Sequence, residues 1–297
     1  MDKNKGHIFA LITILVWGTT FISTKILLVD FQPIEILFFR FVIGFFVLFL
    51  ICPRFLKKTT LKQEMTFMAA GLSGVCLYYL MENIALTYTS ASNVGVIISI
   101  APFFTAMIST FIMREKEKLS FHFFVGFVVS MIGICIISFQ SSSLQLNPLG
   151  DFLAILAALL WACYATLTKT ISTYGYSTIL TTRRTFFYGI LFMIPTLFIF
   201  DFRYDITRLM NPVYLLNILF LGICASALCF VTWNYAVKIL GAIQTSIYIY
   251  MVPVITVITS ALVLGESIDF ISGIGILLTL IGLCLSENIF FKRKIIK

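Results

Sequence analysis

Apolar runs of about twenty residues follow one another along nearly the whole chain. They fall at roughly 7–29, 34–52, 66–88, 92–112, 121–139, 150–172, 177–200, 213–237, 243–263 and 269–290. A helix needs about 20 apolar residues to cross a bilayer core. In lipid every backbone N–H and C=O must be satisfied internally, and the runs lack the alternation of a β-barrel. The expected fold class is therefore all-α integral membrane, with ten transmembrane helices. Composition agrees. With 60% hydrophobic and 11% charged residues among 297, and a mean hydropathy of +1.04, the chain cannot cover a water-facing surface. The first run, after MDKNKGH, has no A-x-A-like cleavage site and is read as a retained span. A multi-pass protein of a bacterial cytoplasmic (inner) membrane is expected.

Lysine and arginine set the orientation. With the N-terminus in the cytoplasm, the cytoplasmic segments hold Lys3, Lys5, Arg54, Lys57, Lys58, Lys62, Arg114, Lys116, Lys118, Lys238, Lys292, Arg293, Lys294 and Lys297. The opposite side holds Arg203 and Arg208. Cationic loops stay inside, so both termini are expected to be cytoplasmic. This distribution also accounts for the net charge of +8 without a nucleic-acid partner. Cys52, Cys76, Cys135, Cys163, Cys224, Cys229 and Cys284 all lie in apolar segments without C-x-x-C spacing, and His7 and His122 stand far apart. Neither a disulfide framework nor a metal site is expected.

The chain repeats itself. LVWGTTFISTK (15–25) returns as LLWACYATLTK (159–169). At the same offset Gly6 meets Gly150 and Arg40 meets Arg184. Further on, Asn83 meets Asn234, Pro102 meets Pro253 and Glu115 meets Glu266, and Gly133 then meets Gly282. Residues 6–139 and 150–290 are read as two copies of one five-span unit. Five is odd, so the second copy enters the membrane inverted. The three cations after the fourth span of copy one have no counterpart in copy two (Leu264 to Ile268), which fits that inversion. Inverted repeats suit alternating access about a midplane site.

These residues resemble a known family. Trp17-Gly18 with Lys25, Arg40-Phe41, Pro102 and Glu115, with Trp161, Lys169, Arg184, Pro253 and Gly265-Glu266 in the second copy, are similar to the EamA-type transporters of the drug/metabolite transporter superfamily. The resemblance covers nearly the whole chain. It departs where Gly18 is matched by Ala162, Phe41 by Thr185 and Gly265 by Arg114. It implies a carrier of a small metabolite, often an exporter, with a central cavity between the repeats. An amino acid or related compound is the expected cargo.

Charges inside spans are costly and face protein or water. They fall in two layers. Lys25, Arg40 and Glu266 would bridge when the outside is closed, and Lys169, Arg184 and Glu115 when the inside is closed. The alternative for the two lysines is snorkelling to the headgroups. Glu82, whose repeat partner is Trp233, is a candidate proton carrier, a site for a cationic substrate group, or an ion-pair partner of Lys25 or Arg40. Asn83 and Asn234 would bind substrate or bond between helices. Trp17, Tyr79, Trp161, Tyr164, Trp233 and Tyr248 are the aromatic candidates for a cavity wall. Pro102 and Pro253 should kink their helices. Glycines at 126 and 133, and at 273, 275 and 282, should hold helices close.

No phosphate-binding G-x-x-x-x-G-K-[ST] motif is present, so energy is expected from a proton gradient, an exchanged solute or the substrate's own gradient. Two rival readings are a membrane-embedded enzyme acting on a lipid or isoprenoid, and a non-transporting scaffold. The carrier reading expects Trp17, Asn83, Trp161 and Asn234 to share one cavity.

Overall fold

A computed structural model describes residues 2–56, 58–89, 91–112, 121–140, 147–200, 202–203, 205–264 and 270–286. The described residues form helices and connections, with no strand among them. We label the helices α1 (Lys3–Leu27), α2 (Pro33–Ile51), α3 (Leu61–Tyr88), α4 (Ala91–Ile98, Ala101–Met107 and Ile108–Ile112) and α5 (Phe121–Gln140). The second half supplies α6 (Pro148–Ser172), α7 (Thr178–Ile199), α8 (Pro212–Leu240), α9 (Ala242–Ser246, Ile247–Tyr250 and Met251–Leu264) and α10 (Phe270–Ser286). Seven of these are long and apolar enough to cross a membrane: α1, α2, α3, α4, α6, α8 and α9. The apolar stretches in α5 and α10 are shorter, at Phe121–Ile136 and Gly273–Ser286. α7 has 22 residues but carries Arg183 and Arg184 in its second turn.

Side-chain caps start several helices. Asp2 accepts from the Asn4 N–H at 3.0 Å, and Asn147 from the Leu149 and Gly150 N–H groups at 3.1 Å each. Thr60 and Gln63 form a reciprocal capping box on α3. Inside the bundle, α3 and α8 each contain widened π-type turns, at Leu72–Leu77 and Phe220–Leu228. Such turns free backbone carbonyls and concentrate at functional positions. The prolines act as their chemistry requires. α4 breaks at residues 99–100, just before Pro102, and α9 tightens into a 3₁₀ turn just before Pro253. Each proline lacks the N–H that would bond the carbonyl four residues back. Those carbonyls belong to Ile98 and Ile249.

Helix ends meet in two layers. On one, Gly6 of α1 packs on Ile239 and Leu240 of α8, and Arg183 of α7 donates to the Cys52 and Arg54 carbonyls beyond α2. We call this the Gly6 face. On the other, the Lys25 face, the Lys25 ammonium donates to the Leu86 and Thr89 carbonyls at 2.6 and 3.0 Å and so caps the end of α3. Asn93 of α4 bonds Asp151 of α6 there.

One wall is fastened at both faces. At the Lys25 face, Glu35 of α2 is fully buried. It accepts two bonds from Arg208, at 2.8 and 3.0 Å, and one each from the Gln32 and Arg203 N–H groups. The bond to Glu35 pushes the Arg208 guanidinium above its ordinary pKa, and its carbon stacks 4.4 Å over Phe31. At the Gly6 face, Arg184 of α7 grips Glu64 of α3 at 2.9 and 3.1 Å, and Tyr188 donates to the same carboxylate. Removing one partner of a buried pair leaves an uncompensated charge, a loss of about 3 kcal/mol. Glu35→Ala is therefore expected to lower the thermal midpoint in detergent by roughly 6 °C. Glu35→Gln, which keeps the acceptor oxygen, should lose distinctly less.

Candidate functional site

The core of the bundle is an aromatic cluster. Trp17 of α1 lies edge-on to Trp161 of α6, with ring centroids 5.0 Å apart, and Trp233 of α8 packs against both at 5.2 and 5.5 Å. Tyr78 of α3 joins Trp161 at 4.9 Å. Offset and edge-to-face contacts of this kind hold rings in defined orientations. They surround a cavity of about 30 Å³, lined by Trp17, Thr20, Tyr78, Tyr79, Glu82 and Trp161, with Ile98 and Ile249 closing it from α4 and α9. That volume holds about two water molecules. A metabolite needs a wider state of the same site. The residues converge through helical spacing: Trp17, Thr20 and Phe21 share one stripe of α1, and Tyr78 and Glu82 one stripe of α3.

Polar groups around this cavity are unevenly matched. Glu82 is 3% exposed and receives the Tyr78 hydroxyl. It joins neither of the two ion pairs found among the described residues. Arg40 of α2 is wholly buried, its guanidinium carbon 4.2 Å from the Tyr79 ring centroid. Its Nε donates to Ser226 Oγ at 3.1 Å, from the π-type turns of α8. Both Nη groups lack an acceptor among the described residues, as do the indole N–H groups of Trp161 and Trp233. Trp17 is satisfied, donating to the Ala225 carbonyl at 2.9 Å in the same turns. Buried donors without acceptors are rare and costly. Of their residues, Trp161 lines the cavity with Glu82, while Arg40 and Trp233 lie behind its wall, packed on Tyr79 and Trp17.

Not every candidate reaches the cavity. Trp17, Tyr79, Glu82 and Trp161 line it, and Trp233 packs behind. Asn83 turns to α2 and donates to the Pro33 carbonyl at 3.2 Å. Asn234 bonds Tyr164 and Thr182 and lines a second recess with Lys238. Tyr248 lies near the Gly6 face, 2.7 Å from His7 Nδ1. Trp17 and Trp161 thus share one cavity, and the two asparagines do not. Of the charges in the proposed gates, Lys25 caps α3, Arg40 points inward, Arg184 holds Glu64, and Lys169 is half-buried in the last turn of α6. Glu115 and Glu266 lie outside the described residues. The sequence reading did not single out Thr20, Ser226, Thr182 or the Glu35–Arg208 and Glu64–Arg184 pairs. For Thr20 the i+3 spacing from Trp17 was the available signal.

The comparisons agree with one another. An uncharacterized transporter of Archaeoglobus fulgidus is 29% identical over 289 residues, covering 96% of this chain and 98% of the relative. One from Clostridium kluyveri is 28% identical, covering 94% and 91%, and YdfC of Bacillus subtilis is 24% identical, covering 90% and 86%. A crystal structure with 16% identity matches with a TM-score of 0.76 over 100% of both chains, which bears on the fold alone. The EamA-like transporter family model matches twice, at residues 4–139 and 148–287. With two family matches, transporter relatives along the whole chain and seven helices able to span a bilayer, this chain is a multi-pass membrane protein of the EamA-like transporter family.

Proposed function

We propose that the chain is a secondary transporter moving a small metabolite, an amino acid or related compound, by alternating access. Ten transmembrane helices form two inverted five-helix repeats, 6–139 and 150–290, with both termini cytoplasmic and the Gly6 face inside. The opposed arrangement of counterparts supports this: the start of α1 lies beside the end of α8, whereas the start of α6 lies beside the end of α3.

One observation carries the substrate class: four unmatched buried donors next to a cavity whose wall carries Glu82. A carboxylate fits the Arg40 and indole N–H groups, since guanidinium and carboxylate match in geometry and charge. An ammonium fits Glu82 and the Ile98 carbonyl, which has no proline N–H to bond. A zwitterion satisfies both at once, and the rings take its side chain. The Glu35–Arg208 and Glu64–Arg184 pairs coexist at opposite faces, so they brace a wall and do not alternate. Motion is left to the kinked α4 and α9 against α1 and α6.

The test is a thermal-shift screen of purified protein against amino acids, amines and sugars, followed by flux of the hits in liposomes. Amino acids should stabilise the protein and sugars should not. Glu82→Gln should lower uptake at least tenfold, about 1.4 kcal/mol of lost recognition. If Glu82 also carries the coupling proton, the remaining flux no longer responds to a pH gradient. Sugar binding with unaltered flux in Glu82→Gln would sink this reading.

A further inference from the structure

Trp161, Tyr164 and Thr168 lie on one stripe of α6, at spacings of three and four. Trp161 lines the central cavity, and Thr168 lines the second recess, together with Ser172, Thr181, Thr185, Asn234 and Lys238. Tyr164 stands between them, roughly 5 Å along the helix from one and 6 Å from the other. Its hydroxyl donates to Asn234 Oδ1 at 2.8 Å, and Asn234 Nδ2 donates to Thr182 Oγ1 at 2.8 Å. One hydrogen-bonded layer thereby ties α6, α8 and α7 together. Tyr164 and Thr182 are fully buried. The fourth side is α3, where the Tyr164 ring rests on Gly74 so closely that a Cβ there would collide with it.

We propose that the Tyr164–Asn234–Thr182 layer is the closed gate between the central cavity and the recess at the Gly6 face. Solute passes when the Tyr164–Asn234 bond opens. The hydroxyl is not stranded by that opening, because Thr168, one turn further along the same stripe of α6, stands within its reach. A buried group with a second partner can change partner at little cost, whereas one left alone is heavily penalised. Asn234 is thereby assigned to the pathway and not to the solute. The proposal rests on the carrier reading for its motion and needs no knowledge of the solute.

The test is thiol accessibility in a background with the native cysteines replaced. Thr20→Cys reports the central cavity, and Lys238→Cys reports which face the recess opens to. A membrane-impermeant charged thiol reagent is added to either side of proteoliposomes. Tyr164→Phe keeps the ring and deletes the bond. It should speed labelling of Cys at position 20 at least fivefold from the recess side and slow it from the opposite side. Asn234→Leu should give the same pattern. An unchanged rate from the recess side overturns the proposal. Faster labelling from both sides overturns it too, because that marks loosened packing and not a gate. Failure of every solute to move in flux assays would count against the carrier reading and leave the labelling result standing.

Discussion

Arg40→Met is expected to make the protein more stable and inactive at the same time. The guanidinium is buried, and among the described residues both Nη groups are unmatched and Ser226 is its single side-chain acceptor. Replacing a buried ion with an apolar side chain of similar length is often stabilising by about 1–4 kcal/mol. The thermal midpoint of the detergent-solubilised protein should rise by roughly 2–6 °C. If the group is kept to receive a carboxylate, two charge-assisted hydrogen bonds vanish with it, each about 1.5–3 kcal/mol. Flux and ligand-induced stabilisation should then fall by about 100-fold or more. Arg40→Lys should restore little, because an ammonium cannot reproduce the planar fork. A variant that is less stable yet still transports would make Arg40 a structural brace.

The second large effect is expected at the α5–α10 contact. A Cβ on Gly133 would sit 2.6 Å from the Gly275 carbonyl and 2.6 Å from the Thr279 N–H, and one on Gly282 2.6 Å from the Gly126 carbonyl. These are backbone atoms, which no side-chain rotation can move aside. Close backbone packing through small residues is what holds such apolar helices together. Gly133→Val should force the helices apart and cost about 3 kcal/mol or more. The measurement is the monodisperse yield after solubilisation, together with the unfolding midpoint. Gly273→Ala is the control on the same stretch. No described atom lies within 4 Å of its added methyl, so it should be neutral or slightly stabilising.

The membrane class, the family and much of the cavity wall were legible in the sequence because they depend on local pattern. Hydropathy predicts spans through length and composition alone, and the echo of Trp17 in Trp161 marked two rings that meet at 5.0 Å. The glycines were legible for the same reason, except that Gly273 faces open space while Gly126, Gly133 and Gly282 make the contact. Pairings between distant segments were not legible. Glu35 and Arg208 are 173 residues apart, and Glu64 and Arg184 are 120 apart. Nothing in local spacing says which carboxylate meets which cation. Symmetry also misled in one respect. Lys25 and Lys169 recur as a pair, yet Lys25 serves the end of α3 by capping two carbonyls. Asn83 and Asn234 likewise recur but meet different partners, because the surroundings have diverged more than the residues themselves.

The α5–α10 contact also carries a consequence for how the protein is made. Ser130 of α5 bonds the Thr279 carbonyl of α10 across 149 residues of chain. At ordinary synthesis rates of about 5–20 residues per second, the ribosome needs roughly 7–30 s to supply that partner. Through that interval the glycine face of α5 stands without its mate. The first half therefore completes its assembly last, when the second half is nearly finished. A stalled or clipped chain lacking α10 would leave the backbone groove along Gly126 and Gly133 of α5 uncovered.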